Sequence, residues 1–191
     1  MSTSKAPLNK IIYVDPKRCI GCHGCEVACA VSHSEATGVF EAVGMTGLFS
    51  RTHVVAVDGA SVPMQCRHCE DAPCTKVCPT GSMRQAGHTG SVSIDEQTCI
   101  GCKLCTMVCP FGVVTVVNRP VAGGRTNGGV ATKCDLCADW RAANGKEVTA
   151  CQEACMTKAI GLVDLTRYRE AMVRARAAEI AQAHRSLRIT L

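Results

Sequence analysis

The residues best suited to chemistry are the cysteines, 16 in a chain of 191 residues. Cys99, Cys102, Cys105 and Cys109, followed by Pro110, are spaced x2, x2, x3. Three thiolates this close can hold one face of an iron–sulfur cube, and a fourth placed after x3 and before proline reaches a second cube. Such a motif needs a partner that sends a cysteine back. Cys19, Cys22, Cys25 and Cys29 repeat the same spacing, with Ala30 where proline would stand. Cys66, Cys69, Cys74 and Cys78 are spaced x2, x4, x3 and end on Pro79, while Cys134, Cys137, Cys151 and Cys155 are spaced x2, x13, x3. Four motifs of four cysteines leave none over. Thiolate is the soft anionic donor that iron–sulfur clusters select. Structural zinc prefers two short cysteine pairs separated by a longer loop, so a zinc-stabilised scaffold is the alternative from a different class.

The chain is long enough for one medium domain or two small ones. Its hydrophobic share of 47% includes those cysteines, while Phe, Trp and Tyr together reach only 3%. Large side chains are scarce, and inorganic clusters would fill and crosslink the interior instead. A disulfide framework would need an oxidising compartment. The polar start Met1–Asn9 and the short apolar run Ile11–Val14 make no secretory signal, so the expected location is cytoplasmic. No stretch approaches the roughly 20 apolar residues of a membrane helix, which leaves any membrane association to a partner. The formal charge of +5 counts every thiol as neutral; four cubes at 2− each carry 8− and turn that total into about −3. With so few aromatics to stack on bases, no nucleic-acid partner is expected.

The elements that must position the motifs are short. Asn9–Asp15 reads as a strand ended by Pro16, and Glu26–Ser34 as a short helix that carries Cys29 inward. Gly21 and Gly24 let the backbone curl around a cube so that amide N–H groups point at sulfur. Ser34–Ser50 is expected to be a loop with one helical turn, and Arg51–Asp58 a strand closed by Gly59. Ser91–Asp95 and Val113–Asn118 read as strands entering and leaving the Cys99 motif, Val121–Val130 as a glycine-rich crossing loop, and Ala159–Leu165 as an exit strand. Trp140, inside the insertion of the fourth motif, would cover a small hydrophobic cluster or touch a partner. From Thr166, expected as the helix cap, an amphipathic and basic helix carries Leu165, Tyr168, Met172, Ala175, Glu179, Ala183 and Leu187 near one stripe. That stripe either packs back on the domain or docks a larger subunit.

No nucleophile–base pair, open metal position or dinucleotide loop is visible, so no catalytic residue is expected. His23 and His68 stand between cluster cysteines, where the expectation is a solvent-facing loop residue and the alternative a hydrogen bond to sulfur that tunes potential. His33, His53, His88 and His184 carry no signal.

From about Ile11 to Leu165 the cysteine arrangement resembles the four-cluster ferredoxin-like electron-transfer subunits of multi-subunit redox enzymes. The resemblance implies an α+β fold of two bacterial-ferredoxin-like modules, each with two 4Fe-4S clusters and related by a pseudo-twofold axis, built from small β-hairpins and short helices, plus a C-terminal helix. It implies an outer module from residues 1–58 plus 121–165, an inner module from 59–120 and the helix at 166–191. It also implies the pairing: Cys19, Cys22, Cys25 with Cys155; Cys134, Cys137, Cys151 with Cys29; Cys66, Cys69, Cys74 with Cys109; and Cys99, Cys102, Cys105 with Cys78. The text from Ile12 to Ser34 resembles most the iron–sulfur protein that accompanies nickel–iron carbon monoxide dehydrogenase. That resemblance implies electron transfer from the carbon monoxide dehydrogenase catalytic subunit to a membrane-bound, hydrogen-evolving hydrogenase, with peripheral association at the inner membrane through the partner complex. The relatives serving formate hydrogenlyase or molybdopterin oxidoreductases share the cysteine arrangement and supply the alternative partners.

Overall fold

The computed structural model describes residues 9–43, 45, 48–87, 90–118 and 129–186. Among these residues the secondary structure is four separate two-stranded antiparallel sheets and seven helices, most of them one or two turns long. This is a small α+β fold of the kind ferredoxin-like modules use.

Strand β1 (Lys10–Val14) pairs with β8 (Ile160–Asp164), with Ile12 opposite Leu162, so the two ends of the motif region are joined in one sheet. Strands β2 (Thr52–Val57) and β3 (Ala60–Gln65) form a hairpin. Its two-residue turn, Asp58 and Gly59, has φ of 47° and 79°, which matches a type I′ turn and suits the twist of the flanking strands. The sequence reading ended the strand at this turn and missed β3, because Pro63 argues against a strand; in a two-stranded sheet every strand is an edge, where proline is tolerated. Strand β4 (Met83–Gln85), also missed, pairs with β5 (Val92–Ile94). At three residues it is too short to show alternation. Strand β6 (Thr115–Val117) pairs with β7 (Val130–Thr132), so the glycine-rich stretch read as loop through Val130 ends by entering a sheet. The rest of that loop lies outside the described residues.

Four short helices carry the third cysteine of each motif. Helix α1 (Gly24–Ser32) bears Cys25 and Cys29 and packs on α6 (Ala150–Ala154), which bears Cys151 and is followed at once by Cys155. Helix α3 (Pro73–Lys76), with Cys74, packs in the same way on α4 (Leu104–Val108), with Cys105. The remaining short helices are α2 (Val39–Val43), the single turn expected in the Ser34–Ser50 loop, and α5 (Ala138–Asn144). Trp140, on α5, joins neither buried cluster; it is half-buried and its ring lies 5.0 Å from Lys146 Nζ.

Two hydrophobic clusters form the interior. One joins Ala72, Met83, Val92, Val114, Val130 and Ala131 with Cys74, Cys99 and Cys105; the other joins Ile12, Val113, Leu136 and Ile160 with Cys25, Cys66, Cys134 and Cys151. Cys109 packs against both. The cysteines are therefore structural members of a thin core, as the composition suggests.

Helix α7 (Leu165–Ser186) departs from the expectation that its stripe packs back. Leu165 and Tyr168 are half-buried, with the Tyr168 ring 5.7 Å from that of Tyr13, and from Arg169 through Arg185 every residue is exposed. Its cap is also different: Asp164, not Thr166, accepts the backbone N–H of Arg167 at 3.1 Å. Arg169 reaches Glu70 at 3.3 Å and is the last tie to the body among the contacts described. Among the described residues no helix is long and apolar enough to cross a membrane.

Candidate metal centres

Three cavities of closely similar size are each lined by four cysteines. One, of about 310 Å³, is lined by Cys19, Cys22, Cys25 and Cys155 together with Ile20, Val54 and Ile160. A second, of about 320 Å³, has Cys66, Cys69, Cys74 and Cys109 with Val92, Phe111 and Val114. A third, of about 330 Å³, has Cys78, Cys99, Cys102 and Cys105 with Ile100, Leu104 and Val116. The remaining thiols form a fourth group: Cys134, Cys137 and Cys151 all lie close enough to Cys29 for its charge to raise, or compete with, theirs. In every group three cysteines come from one motif and one comes from another. The transfer is made by the packed helices, since α1 keeps Cys25 beside Cys155 while Cys29, one turn on, lies with Cys134.

The loops that present these thiols share one backbone device. The residue before the second cysteine of each motif is left-handed: Gly21 (φ 68°), His68 (φ 47°), Gly101 (φ 66°) and Leu136 (φ 62°). Of these four the sequence analysis singles out Gly21 alone; a histidine or leucine in this conformation costs about 1–3 kcal/mol and carries no local signal. At Gly21 a Cβ would also stand 2.7 Å from Ser61 Oγ. Gly24 has no such role; the left-handed residue there is His23, at φ 58°. The curl aims amides at sulfur: His68 N to Cys66 at 3.4 Å, Leu136 N to Cys134 at 3.4 Å, and, from outside the loops, Ala131 N to Cys99 at 3.5 Å, Ala159 N to Cys155 at 3.2 Å and Arg51 N to Cys29 at 3.3 Å.

This donor set fits an iron–sulfur group. Four soft sulfurs surround an apolar space, and backbone N–H groups already point at the sulfurs that would carry negative charge. Among the described residues, the buried side-chain donors without a partner include Gln65 Nε2, His68 Nε2 and Thr106 Oγ1, each beside a motif cysteine. Orphaned donors at these places are what a sulfur-rich acceptor would satisfy. The family model of the 4Fe-4S dicluster domain matches residues 57–165. The chain belongs to that family. An iron–sulfur protein of Rhodospirillum rubrum is 58% identical over 184 residues, covering 95% of this chain and 96% of that one. The electron transport protein HydN of Escherichia coli strain K12 is 40% identical over 164 residues, 82% of this chain and 89% of its own. Formate hydrogenlyase subunit 2 of the same strain is 32% identical over 185 residues, 83% and 84% of the two chains. This 4Fe-4S dicluster protein is thus a ferredoxin-like iron–sulfur protein of the electron-transfer kind.

Around Cys29 the dicluster chain builds an ion network that the sequence did not reveal. His33 donates from Nδ1 to the Cys29 carbonyl oxygen at 2.7 Å and from Nε2 to Asp135 at 2.9 Å, while Arg51 holds the other Asp135 oxygen at 2.6 Å. Asp135 also accepts the Cys137 amide at 2.9 Å. The available signal was His33 standing four residues after Cys29, one turn along the same helix. Burial opposes charge on both partners, yet the hydrogen bonds and mutual attraction win. His33 is held up at about 9, and the Asp135 carboxyl is pushed well below the usual range by His33 and Arg51. A raised histidine contributes stability that is full below its ordinary value near 6.5 and is lost as pH rises through about 9. Urea midpoints compared between pH 6 and 10 should therefore fall more steeply for wild type than for His33→Asn; parallel curves would remove the ion pair from the account.

His68 corrects the expectation of a solvent-facing residue: it is 1% exposed, and its Nδ1 accepts the Val92 N–H at 3.0 Å. Burial first, then the charge of Lys133, lowers it to about 3, so it is a neutral donor at Nε2. His23 agrees with the expectation, being largely exposed and paired with Glu26 at 2.8 Å.

Proposed function

We propose that the chain is a four-cluster electron wire. The ligand sets are Cys19, Cys22, Cys25 and Cys155; Cys134, Cys137, Cys151 and Cys29; Cys66, Cys69, Cys74 and Cys109; and Cys78, Cys99, Cys102 and Cys105. The observation behind this reading is the division of all sixteen cysteines into four groups of four, three of them round cavities of matching size. A bound 4Fe-4S cube supplies one-electron transfer with its thiolates in place. The protein's own part is to exclude water with the aliphatic lining, to aim amide dipoles at sulfur and to hold neighbouring centres close. Residues 1–58 plus 121–165 make one ferredoxin-like half, 59–120 the other, and 166–191 an appended helix. Val130 and Ala131 pack in the cluster of the second half and so tie the two together. Iron and acid-labile sulfide in anaerobically purified protein should each come to about sixteen per chain. A value near half that sinks the four-cluster reading, and a colourless protein rich in zinc replaces it with a scaffold.

Cys22 and Cys102, at equivalent places in their motifs, are the two exposed cysteines, and the exposed Ile20 and Ile100 line the cavities beside them. These two centres are the ports of the wire. The likeness of Ile12–Ser34 to the carbon monoxide dehydrogenase-associated protein favours that enzyme as donor and a membrane-bound hydrogenase as acceptor. The similarity to formate hydrogenlyase subunit 2 supports the second reading, the same wire in a formate or molybdopterin system. Capture of the native complex followed by metal analysis separates them, since nickel in the donor supports the first and molybdenum the second. In the same capture, a chain lacking 166–191 should keep its iron and lose most of the partner, because α7 leaves the body after its first turn. Loss of iron on truncation would make the helix structural.

A further inference from the structure

Lysine is rarely fully buried without an anionic partner. Lys133 is 2% exposed, and among the described residues no carboxylate pairs with it. Its ammonium donates to two backbone oxygens, those of Val92 and, at 3.0 Å, of Cys134. Those two acceptors belong to different centres. Val92 lines the cavity of Cys66, Cys69, Cys74 and Cys109, and its N–H is the one that His68 accepts. Cys134 belongs to the fourth thiol group. Lys133 therefore stands in the partition between two halves of the molecule, anchored to one by β5 and to the other by β7. The carboxylate two residues on, Asp135, is already paired with His33 and Arg51.

We propose that Lys133 is an internal cation shared by the Cys66–Cys69–Cys74–Cys109 centre and the Cys134–Cys137–Cys151–Cys29 centre, stabilising their reduced forms and so easing electron passage between the halves. It is a positioning and tuning residue that touches no electron donor or acceptor outside the protein. A cube on four thiolates carries about 2− and gains a further negative charge on reduction, so a fixed positive charge at its edge favours the reduced state. With water excluded, that attraction is weakly screened. The same charge offsets the repulsion between two anionic centres whose thiols share one hydrophobic cluster through Cys66, Cys134 and Cys151.

The inference rests on the four-cluster reading, which iron content of the wild type tests separately. The decisive measurement is a potentiometric titration followed by electron paramagnetic resonance on wild type, Lys133→Met, Lys133→Gln and Lys133→Arg at one pH. In the Met and Gln variants the two flanking centres should become harder to reduce, by about tenfold in the reduced-to-oxidised ratio at a fixed potential or ~59 mV for a one-electron couple. The two port centres should hold their potentials, and Lys133→Arg should stay near wild type. Four unchanged potentials in an iron-replete Met variant overturn the proposal. If Met and Gln both lose iron from the flanking centres while Arg keeps it, the need for charge is upheld. If Gln keeps iron and potentials where Met does not, or if all three variants lose iron, the lysine is a donor or a packing element and the proposal fails.

Discussion

Replacing Cys109 with alanine is expected to remove the cluster bounded by Cys66, Cys69 and Cys74 and to leave the one bounded by Cys99, Cys102 and Cys105 in place. Cys109 follows α4 in extended conformation, at φ −70° and ψ 114°, which carries its side chain away from Cys105 and into the neighbouring cavity. A motif that kept its own four cysteines would lose the Cys99 centre instead. Iron counting on double variants distinguishes the two. Under crossed ligation Cys109→Ala costs about four of sixteen irons, Cys66→Ala costs the same four, and the pair together costs no more. Cys109→Ala with Cys99→Ala should instead cost about eight. The reverse pattern would return each motif to its own cube and remove the crossed wire. The variant should also be less stable, because Cys109 packs against both hydrophobic clusters.

What the sequence reveals here is what local spacing encodes. Four short cysteine motifs, the strands β1, β2, β5, β6 and β8, and the turn at Gly59 all follow from neighbours in the chain. What it hides depends on distant segments. Pro63 argues against β3 until its partner strand is known, and Val130 looks like the end of a glycine-rich loop until it pairs with Val117. His68 and Leu136 occupy the same left-handed position as Gly21 and Gly101, but only the glycines advertise it. Lys133 reads as an ordinary polar residue before Cys134, and its burial exists only once β7 lies against Val92. Helix α7 illustrates the opposite failure. Its stripe is a sound reason to expect packing, yet its described ties to the body lie in its first turn, Tyr168 against Tyr13 and Arg169 to Glu70. A helix of this kind is marginal alone in water, so its stability rests on its cap, its Arg176–Glu179 pair and whatever partner covers it.

Stripping iron from the protein is expected to abolish its cooperative fold, and the ease of stripping should depend on pH. The two hydrophobic clusters hold few large aliphatic residues, and cysteines supply seven of their buried members: Cys74, Cys99 and Cys105 in one, Cys25, Cys66, Cys134 and Cys151 in the other. Without metal those thiols surround empty space, four short sheets lose their crosslinks, and domain stability of only about 5–15 kcal/mol leaves little reserve. Metal must also displace protons. Burial pushes the Cys25 and Cys137 thiols up to about 12 and Cys74 to about 11, so each is protonated at neutral pH before it binds. Cys78 differs: burial works against its thiolate, but donors from Ser82, Met83 and Thr80 outweigh it and bring the thiol down to about 6. The raised thiols therefore release a proton on loading, and iron retention against a chelator should rise from pH 6 to pH 8. Anaerobic chelation at each pH, followed by iron assay and a thermal scan by near-ultraviolet circular dichroism, measures both effects. A stripped protein that still melts cooperatively would mean the aliphatic residues suffice for the fold, and retention independent of pH would mean the buried thiols are already ionised.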